Sequence, residues 1–117
     1  MLGAIVTVIV DRPLGSCHPN YPDMRYPVNY GYVPGIIAPD GEEQDAYILG
    51  ILEPVGAFTG KVIAIIHRKN DVEDKWVVAP ESAAFTKEYI QETVFFQEQY
   101  FQTEIIMEDE KIHKKQE

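Results

Sequence analysis

Short apolar runs separated by turn residues dominate the N-terminal part of this chain. The runs cover residues 4–10, 30–33, 46–53, 61–68 and 75–79. Their β-branched and aromatic side chains favour extended strands, and Pro, Gly, Asn and Asp fill the intervals between them. No run approaches the roughly 18 consecutive apolar residues that a membrane-spanning helix needs. Strands of this length and spacing predict a small closed or half-closed barrel.

The apolar pattern changes to a helical period after Pro80. Two rows of apolar side chains step along the chain at the spacing of neighbouring helical turns. The rows are Phe85, Tyr89, Phe96 and Tyr100, and Ile90, Val94, Phe101 and Ile105. This period predicts a helix from about residue 86 to about residue 107, with Thr86 as its N-cap. We therefore predict an α+β fold that is mainly β: a small five-stranded OB-like barrel with a long C-terminal helix packed against it.

The length of 117 residues suits one domain. We predict a single domain over residues 1–117, in which the charged segment 108–117 is frayed. The N-terminal apolar run lacks a preceding basic region, so we do not expect a secretory signal. The single cysteine fits a reducing compartment. These features predict a cytoplasmic protein without a membrane partner. The apolar face of the helix is wide enough for a subunit contact, and we expect a homo-oligomer.

The charge balance limits the class of ligand. The formal net charge is -9 and no basic stripe is present, whereas nucleic-acid binding needs a basic footprint. We therefore expect no nucleic-acid partner. An acidic protein can still bind a phosphorylated ligand if metal ions or a few placed cations reverse the local sign.

Four carboxylates crowd the segment before the third apolar run. They are Asp40, Glu42, Glu43 and Asp45. Pro39 and Gly41 indicate a turn there, and no Lys or Arg lies between Arg25 and Lys61. Crowded carboxylates repel one another, and hard divalent ions such as Mg²⁺ relieve that repulsion. A solvated acidic turn is the alternative interpretation. The sequence leaves open which of these carboxylates converge.

A second acidic cluster precedes the last strand-like run. Asp71, Glu73 and Asp74 are followed directly by Lys75. Two acidic turns that each lead into a strand of one small barrel can meet at one end of it. Their meeting would create a site for one or two divalent ions.

The chain resembles the family I soluble inorganic pyrophosphatases, which are Mg²⁺-dependent enzymes built on a small β-barrel. Residues 26–33 (YPVNYGYV), 40–45 (DGEEQD) and 73–80 (EDKWVVAP) carry the resemblance. A weaker match covers residues 11–16 (DRPLGS). The family signature reads Asp-Gly-Asp-x-x-Asp, so Glu42 stands where the family has an Asp.

The resemblance implies Mg²⁺-dependent hydrolysis of inorganic pyrophosphate to two phosphates by metal-activated water, with Mn²⁺ as a possible substitute for Mg²⁺. The partner of the protein would be a small phosphate-containing substrate. Catalytic roles fall on Glu42 and Asp45. The implied metal ligands are Asp40, Asp45, Asp11 and, from the second acidic cluster, Asp71 and Glu73 with Asp74 as a rival. The implied substrate contacts are Tyr30, Lys75 and Tyr100, together with Arg25 as the cation of the shortened N-terminal segment.

The chain departs from the family in its cations. The segment between Ser16 and Tyr26 is short, and Phe101 stands where the family has a Lys. Four basic residues could supply the missing charge: Arg12, Arg25, Lys61 and Arg68. Two other interpretations therefore stay open. One is a related hydrolase of another phosphoanhydride or a phosphate ester, and the other is a catalytically weak metal-binding or regulatory paralogue.

Overall fold

The structure, a computed structural model, describes residues 1–71 and 73–107. The segment 108–117, predicted to be frayed, lies outside the described residues. The elements are β1 (Ile5–Arg12), β2 (Asn29–Ile37), β3 (Glu43–Ile48), β4 (Ala57–Arg68), β5 (Asp74–Ala79), α1 (Lys87–Glu98) and β6 (Thr103–Met107).

Five strands close into a barrel in the order β1-β2-β3-β5-β4, because β4 also pairs with β1. The β3–β5 pair is parallel, and the other pairs are antiparallel. The long strand β4 completes the closure, since it pairs with β5 along one side and its first part pairs with β1 along the other. The second part of β4 pairs with β6, which lies outside the barrel. The predicted five-stranded barrel is thereby confirmed.

Both faces of the barrel wall are covered, because successive side chains of a strand point to opposite faces. Ile48 and Val78 belong to an apolar cluster with members from all five barrel strands, which is the barrel interior. Tyr47 and Val77 belong to a second cluster, which includes Ile90 and other residues of α1 and β6. We call these the inner core and the outer core. Burial on both faces explains why the strands read as continuous apolar runs.

Helix α1 packs on the barrel as predicted, but it is shorter than predicted. The Thr86 hydroxyl caps it by accepting a hydrogen bond from the Tyr89 backbone N–H, and Ile90 and Val94 are buried. The helix ends at Glu98, and residues 103–107 form β6 against β4. The helical prediction for residues 99–107 is therefore wrong. The β-branched pair at 105–106 alternates buried and exposed positions, which suits an edge strand better than a helix.

The third strand starts earlier and ends earlier than predicted, at Glu43 and Ile48 instead of residues 46 and 53. Gly50 ends the extended run with a φ of +87°, a conformation that favours glycine. Within the described ranges, no helix is long and apolar enough to cross a membrane.

Candidate functional site

An open cleft of about 1190 Å³ lies where three parts of the chain meet. Its walls are the segment 18–25, one end of the barrel, and the C-terminal end of α1 with the turn that follows. The basic residues of the walls are Arg12, Arg25, Arg68 and Lys75. The acidic ones are Asp23, Asp40, Glu42, Asp45 and Glu73. Both acidic turns therefore contribute to one cleft, as the sequence predicted.

The first acidic turn is held by its own backbone. Gly41 has a φ of +87° and donates its N–H to the Ala38 carbonyl at 2.9 Å, and Asp40 Oδ1 accepts from the Glu42 N–H at 3.0 Å. The predicted turn is present. Asp40, Glu42 and Asp45 line the cleft, whereas Glu43 turns away and accepts from the Gly35 N–H at 3.1 Å.

Lys75 joins the two acidic turns. Its Nζ lies 2.5 Å from Asp45 Oδ2 and 2.6 Å from Glu73 Oε2. The parallel pairing of β3 with β5 sets this contact, because Ala46 and Trp76 are register partners. Burial alone would lower the pKa of Lys75, but the Tyr30 phenol and the two carboxylates outweigh burial and raise that pKa above the ordinary lysine value.

Arg68 forms a buried ion pair with Glu98 at the end of α1. Its Nε donates to Glu98 Oε1 at 2.9 Å and its Nη2 donates to Glu98 Oε2 at 2.7 Å. Both side chains are buried, and the guanidinium lies 3.6 Å from the centre of the Phe101 ring. Burial alone would lower the pKa of Arg68, but Glu98 outweighs burial and raises it. Arg68 Nη1 is also 3.8 Å from Glu73, so the pair borders the Lys75 cluster.

A chain of hydrogen bonds continues from Glu98 across the outer core. The Tyr47 hydroxyl donates to Glu98 at 2.6 Å and accepts from Gln97 Nε2 at 2.7 Å. Gln97 Oε1 accepts from the Tyr26 hydroxyl at 2.9 Å. Burial, reinforced by the Glu98 carboxylate, raises the pKa of Tyr47, so Tyr47 remains a neutral donor. Within the described ranges, every buried side-chain nitrogen and oxygen has a partner.

Arg12 forms the other end of this series of hydrogen bonds and lies in the opposite wall of the cleft. Its Nη1 donates to the Tyr26 hydroxyl at 2.6 Å. The guanidinium carbon lies 5.8 Å from the centre of the Tyr26 ring and 5.6 Å from that of Tyr30. A register shift between Val10 and Arg12 marks a β-bulge, a feature that re-aims side chains beside functional sites.

Three of the implied metal ligands, Asp11, Asp71 and Asp74, do not line this cleft. Asp74 precedes Lys75 on β5, and Lys75 faces the cleft, so the Asp74 carboxylate points to the other face and contacts His67 Nδ1 at 2.7 Å. The same alternation on β1 separates the exposed Asp11 from Arg12. Asp71 lies in the turn after β4, exposed. The expectation that these three carboxylates join the site is thus corrected: the second acidic turn brings Glu73 alone to the cleft.

The implied substrate contacts Tyr30, Lys75, Tyr100 and Arg25 all line the cleft. Tyr30 is buried, which raises the pKa of its phenol and keeps it protonated. Tyr100 is exposed. Arg25 is exposed as well, and its Nη1 donates to the Gly15 carbonyl at 3.1 Å.

The carboxylates offer oxygen ligands but no closed metal cage. Across residues 1–71 and 73–107, no group of three or more His, Cys, Asp or Glu side chains is arranged to hold a metal ion. Asp40 and Glu42 stand at the open rim, and Lys75 engages Asp45 and Glu73. Mg²⁺ in phosphate-handling sites usually takes one or two carboxylates and completes its shell with water and substrate phosphate. The donor set therefore fits a divalent ion only where water or a bound ligand completes its coordination shell.

Several polar residues of this region were not predicted. Glu98 and Gln97 were missed, although Glu98 follows Val94 and Ile90 at the helical step of four residues, so it falls on the buried row. A carboxylate in that position needs a buried partner, so the position of Glu98 in the sequence could have predicted a buried ion pair. Asn29 is also buried; its side chain bonds the backbone of Leu14, Glu53 and Val55 and so ties two loops to the start of β2. No sequence period pointed to that role.

Solved structures share this fold. An inorganic pyrophosphatase of Ehrlichia chaffeensis matches with a TM-score of 0.70 at 18% identity, over 92% of this chain and 88% of that one. One of Coxiella burnetii matches with a TM-score of 0.64 at 18% identity, over 92% and 86%. One of Neisseria gonorrhoeae matches with a TM-score of 0.62 at 22% identity, over 84% and 74%.

No protein-family model matches the chain, and a comparison with curated proteins gives no significant match. At these identities the structural matches show the fold alone. They confirm the fold that the sequence resemblance implied.

Proposed function

We propose that this protein binds inorganic pyrophosphate in the cleft and hydrolyses it to two phosphates in the presence of Mg²⁺. The observation that carries the proposal is the convergence of the two acidic turns, Asp45 and Glu73, on the buried Lys75. The fold shared with inorganic pyrophosphatases supports the same substrate.

The chemistry suits such a site because phosphoryl transfer depends on positioning and charge neutralisation, with little covalent help from the protein. One or two of the carboxylates Asp40, Asp45 and Glu73 would bind the metal ion, and water and substrate phosphate would complete its shell. When bound there, Mg²⁺ would neutralise charge on the phosphate oxygens and lower the pKa of an attacking water. Glu42, at the rim, would orient that water and accept its proton.

Lys75 and Tyr30 would contact the phosphate. A lysine ammonium has three donors, and two of those of Lys75 point at Asp45 and Glu73. The third, on the side of the Tyr30 hydroxyl, would donate to a phosphate oxygen. A neutral Tyr30 hydroxyl adds a donor that does not depend on pH near neutrality.

The test is release of phosphate from pyrophosphate with Mg²⁺, measured against the same assay with a chelator. Asp45→Asn should lower the Mg²⁺-dependent rate at least about 100-fold, because it removes a ligand charge and the partner that positions Lys75. Glu43→Gln is the matched control, since Glu43 lies in the same turn and faces away from the cleft; its rate should equal that of the wild type. Equal rates for Asp45→Asn and the wild type would remove Asp45 from the site.

A second candidate is hydrolysis of a phosphoanhydride or phosphate ester that carries an organic group. The exposed rings of Tyr21 and Tyr100 in the cleft wall favour it, because they offer stacking surfaces beside the phosphate donors. Comparing turnover of pyrophosphate with that of a nucleoside diphosphate decides between the two. Binding of pyrophosphate without turnover of either substrate would favour a regulatory paralogue.

We also propose a homo-oligomer in the cytoplasm. Tyr89 and Phe95 are exposed on different sides of α1, and Phe95, the more exposed of the two, is the candidate contact residue. Light scattering of Phe95→Glu beside the wild type tests it: a smaller mass for the variant is expected, and a monomeric wild type would contradict it.

A further inference from the structure

The cations of the cleft differ in how much of their charge is already neutralised. Arg68 is bound by both oxygens of Glu98, and Lys75 is held between Asp45 and Glu73. These two side chains therefore bring little net positive charge to an incoming anion. A pyrophosphate site in an acidic protein needs a cation whose charge is still available.

Arg12 meets that requirement. In the described part of the chain, no carboxylate forms an ion pair with it. Its protein hydrogen bond goes to a phenol, Tyr26, and one guanidinium offers five N–H donors. Arg12 thus keeps a full charge and most of its donors in the cleft wall.

Arg12 is also held in place before any ligand arrives. The rings of Tyr26 and Tyr30 flank its guanidinium, Tyr26 anchors one nitrogen, and the side chain is partly buried. A pre-ordered arginine loses less rotamer entropy on binding than an exposed one. Arg25, by contrast, is exposed, so solvent screens its charge more strongly.

The Tyr30 ring places Arg12 beside the Lys75 cluster. Arg12 and Lys75 lie 5.6 and 5.7 Å from the centre of the same Tyr30 ring. The charge of Arg12 also reaches His18 across the cleft, where it adds to the effect of burial in lowering the pKa of that imidazole. The positive charge of Arg12 therefore acts on the residues of the cleft wall.

We propose that Arg12 is the phosphate-binding arginine of this site, which receives one phosphoryl group of the diphosphate while Lys75 receives the other. This inference rests on the proposed function. The planar guanidinium fork matches two phosphate oxygens, so Arg12 supplies the binding charge that the shortened segment before Tyr26 lacks.

Calorimetric binding of methylenediphosphonate, a non-hydrolysable diphosphate, tests the inference in the presence of Mg²⁺. Arg12→Gln should weaken binding about 10- to 100-fold, the usual range for loss of a charge-assisted bidentate contact. Arg12→Lys should recover part of that loss, because it restores the charge without the fork. Lys69→Gln, which removes an exposed cation outside the cleft, should bind as the wild type does.

In turnover assays, Arg12→Gln should raise KM for pyrophosphate more than it lowers kcat. The salt dependence of binding should also weaken in Arg12→Gln and be retained in Arg12→Lys. If Arg12→Gln does not fold, Arg12→Lys alone carries the test, since wild-type affinity in that variant contradicts a bidentate contact.

The outcomes separate the inference from its premise. If the wild type binds methylenediphosphonate and Arg12→Gln binds it with the same affinity, the role of Arg12 is overturned. The proposed function then still stands. A wild type that neither binds methylenediphosphonate nor hydrolyses pyrophosphate overturns both.

Discussion

The inner and outer cores share strands β2 to β5 but differ in the kind of side chain that fills them. The inner core, inside the barrel, is a cluster of apolar side chains. The outer core, between the barrel and α1, combines apolar side chains with the chain of hydrogen bonds from Arg12 to Glu98. The inner core can hold the barrel closed whatever the ligand is. The outer core can position the charged walls of the cleft, because its polar groups end on cleft residues at both sides.

The largest effect should come from breaking the ion pair of the outer core. Glu98→Ala leaves the Arg68 guanidinium buried without its counter-charge, and we expect the free energy of unfolding to fall by about 3–5 kcal/mol. Urea unfolding measures it. The double variant Arg68→Met with Glu98→Leu removes both charges and should lose much less stability. A single variant as stable as the wild type would show that the pair is not buried in solution.

A cavity in the inner core should cost somewhat less and should spare the cleft. Ile48→Ala removes a fully buried side chain of β3, and a loss of about 3 kcal/mol is expected. Turnover per folded molecule should stay at the wild-type level, because the cleft walls are untouched. A specific activity that falls with stability would show that the two cores are not separable.

The pH dependence of stability should differ between a cleft lysine and an exposed one. The folded-state pKa of Lys75 is raised, so its contribution is complete below the unfolded pKa of about 10.4 and is lost as pH rises through the folded value. Unfolding free energies between about pH 10 and pH 12 should therefore decline less for Lys75→Met than for the wild type. Lys69→Gln should keep the wild-type slope, and identical slopes for Lys75→Met and the wild type would contradict the coupling.

The smallest effect concerns the edge of the outer core. Phe101→Lys removes the ring that stacks on Arg68 and places a second positive charge beside it, so we expect about 1 kcal/mol lower stability. Phe101→Tyr keeps an aromatic ring and should be close to neutral. Thermal unfolding of the two variants distinguishes them, and a stabilised Phe101→Lys would mean that the stacking contributes nothing.

This contrast also explains what the sequence could predict. The apolar runs of the sequence correspond to the strands that form the inner core, so the barrel strands can be predicted from the sequence. The turn at Gly41 and the N-cap at Thr86 follow from local residue preferences. The end of α1 could not be placed, because Ile105 satisfies both the helical period and the strand period. Only pairing with β4, a tertiary contact, decides between them.

The site was predicted in part for the same reason. Two acidic turns that lead into strands of one barrel can converge at its end. In the structure, Asp45 and Glu73 converge on Lys75. Which carboxylates face the cleft depends on strand phase, and a shift of one residue moves a side chain to the other face. Asp74 and Glu73 differ by that one residue. The choice of Arg12 among four possible cations depends on the bulge in β1, which no period reveals.

A crystal structure with Mn²⁺ and methylenediphosphonate tests the central claim most directly, because the metal can be located by its anomalous signal. We expect the diphosphate between Arg12 and Lys75, with the metal bound by Asp45 and Glu73. A diphosphate bound outside this cleft, or a metal bound by Asp71 and Asp74 instead, would contradict it.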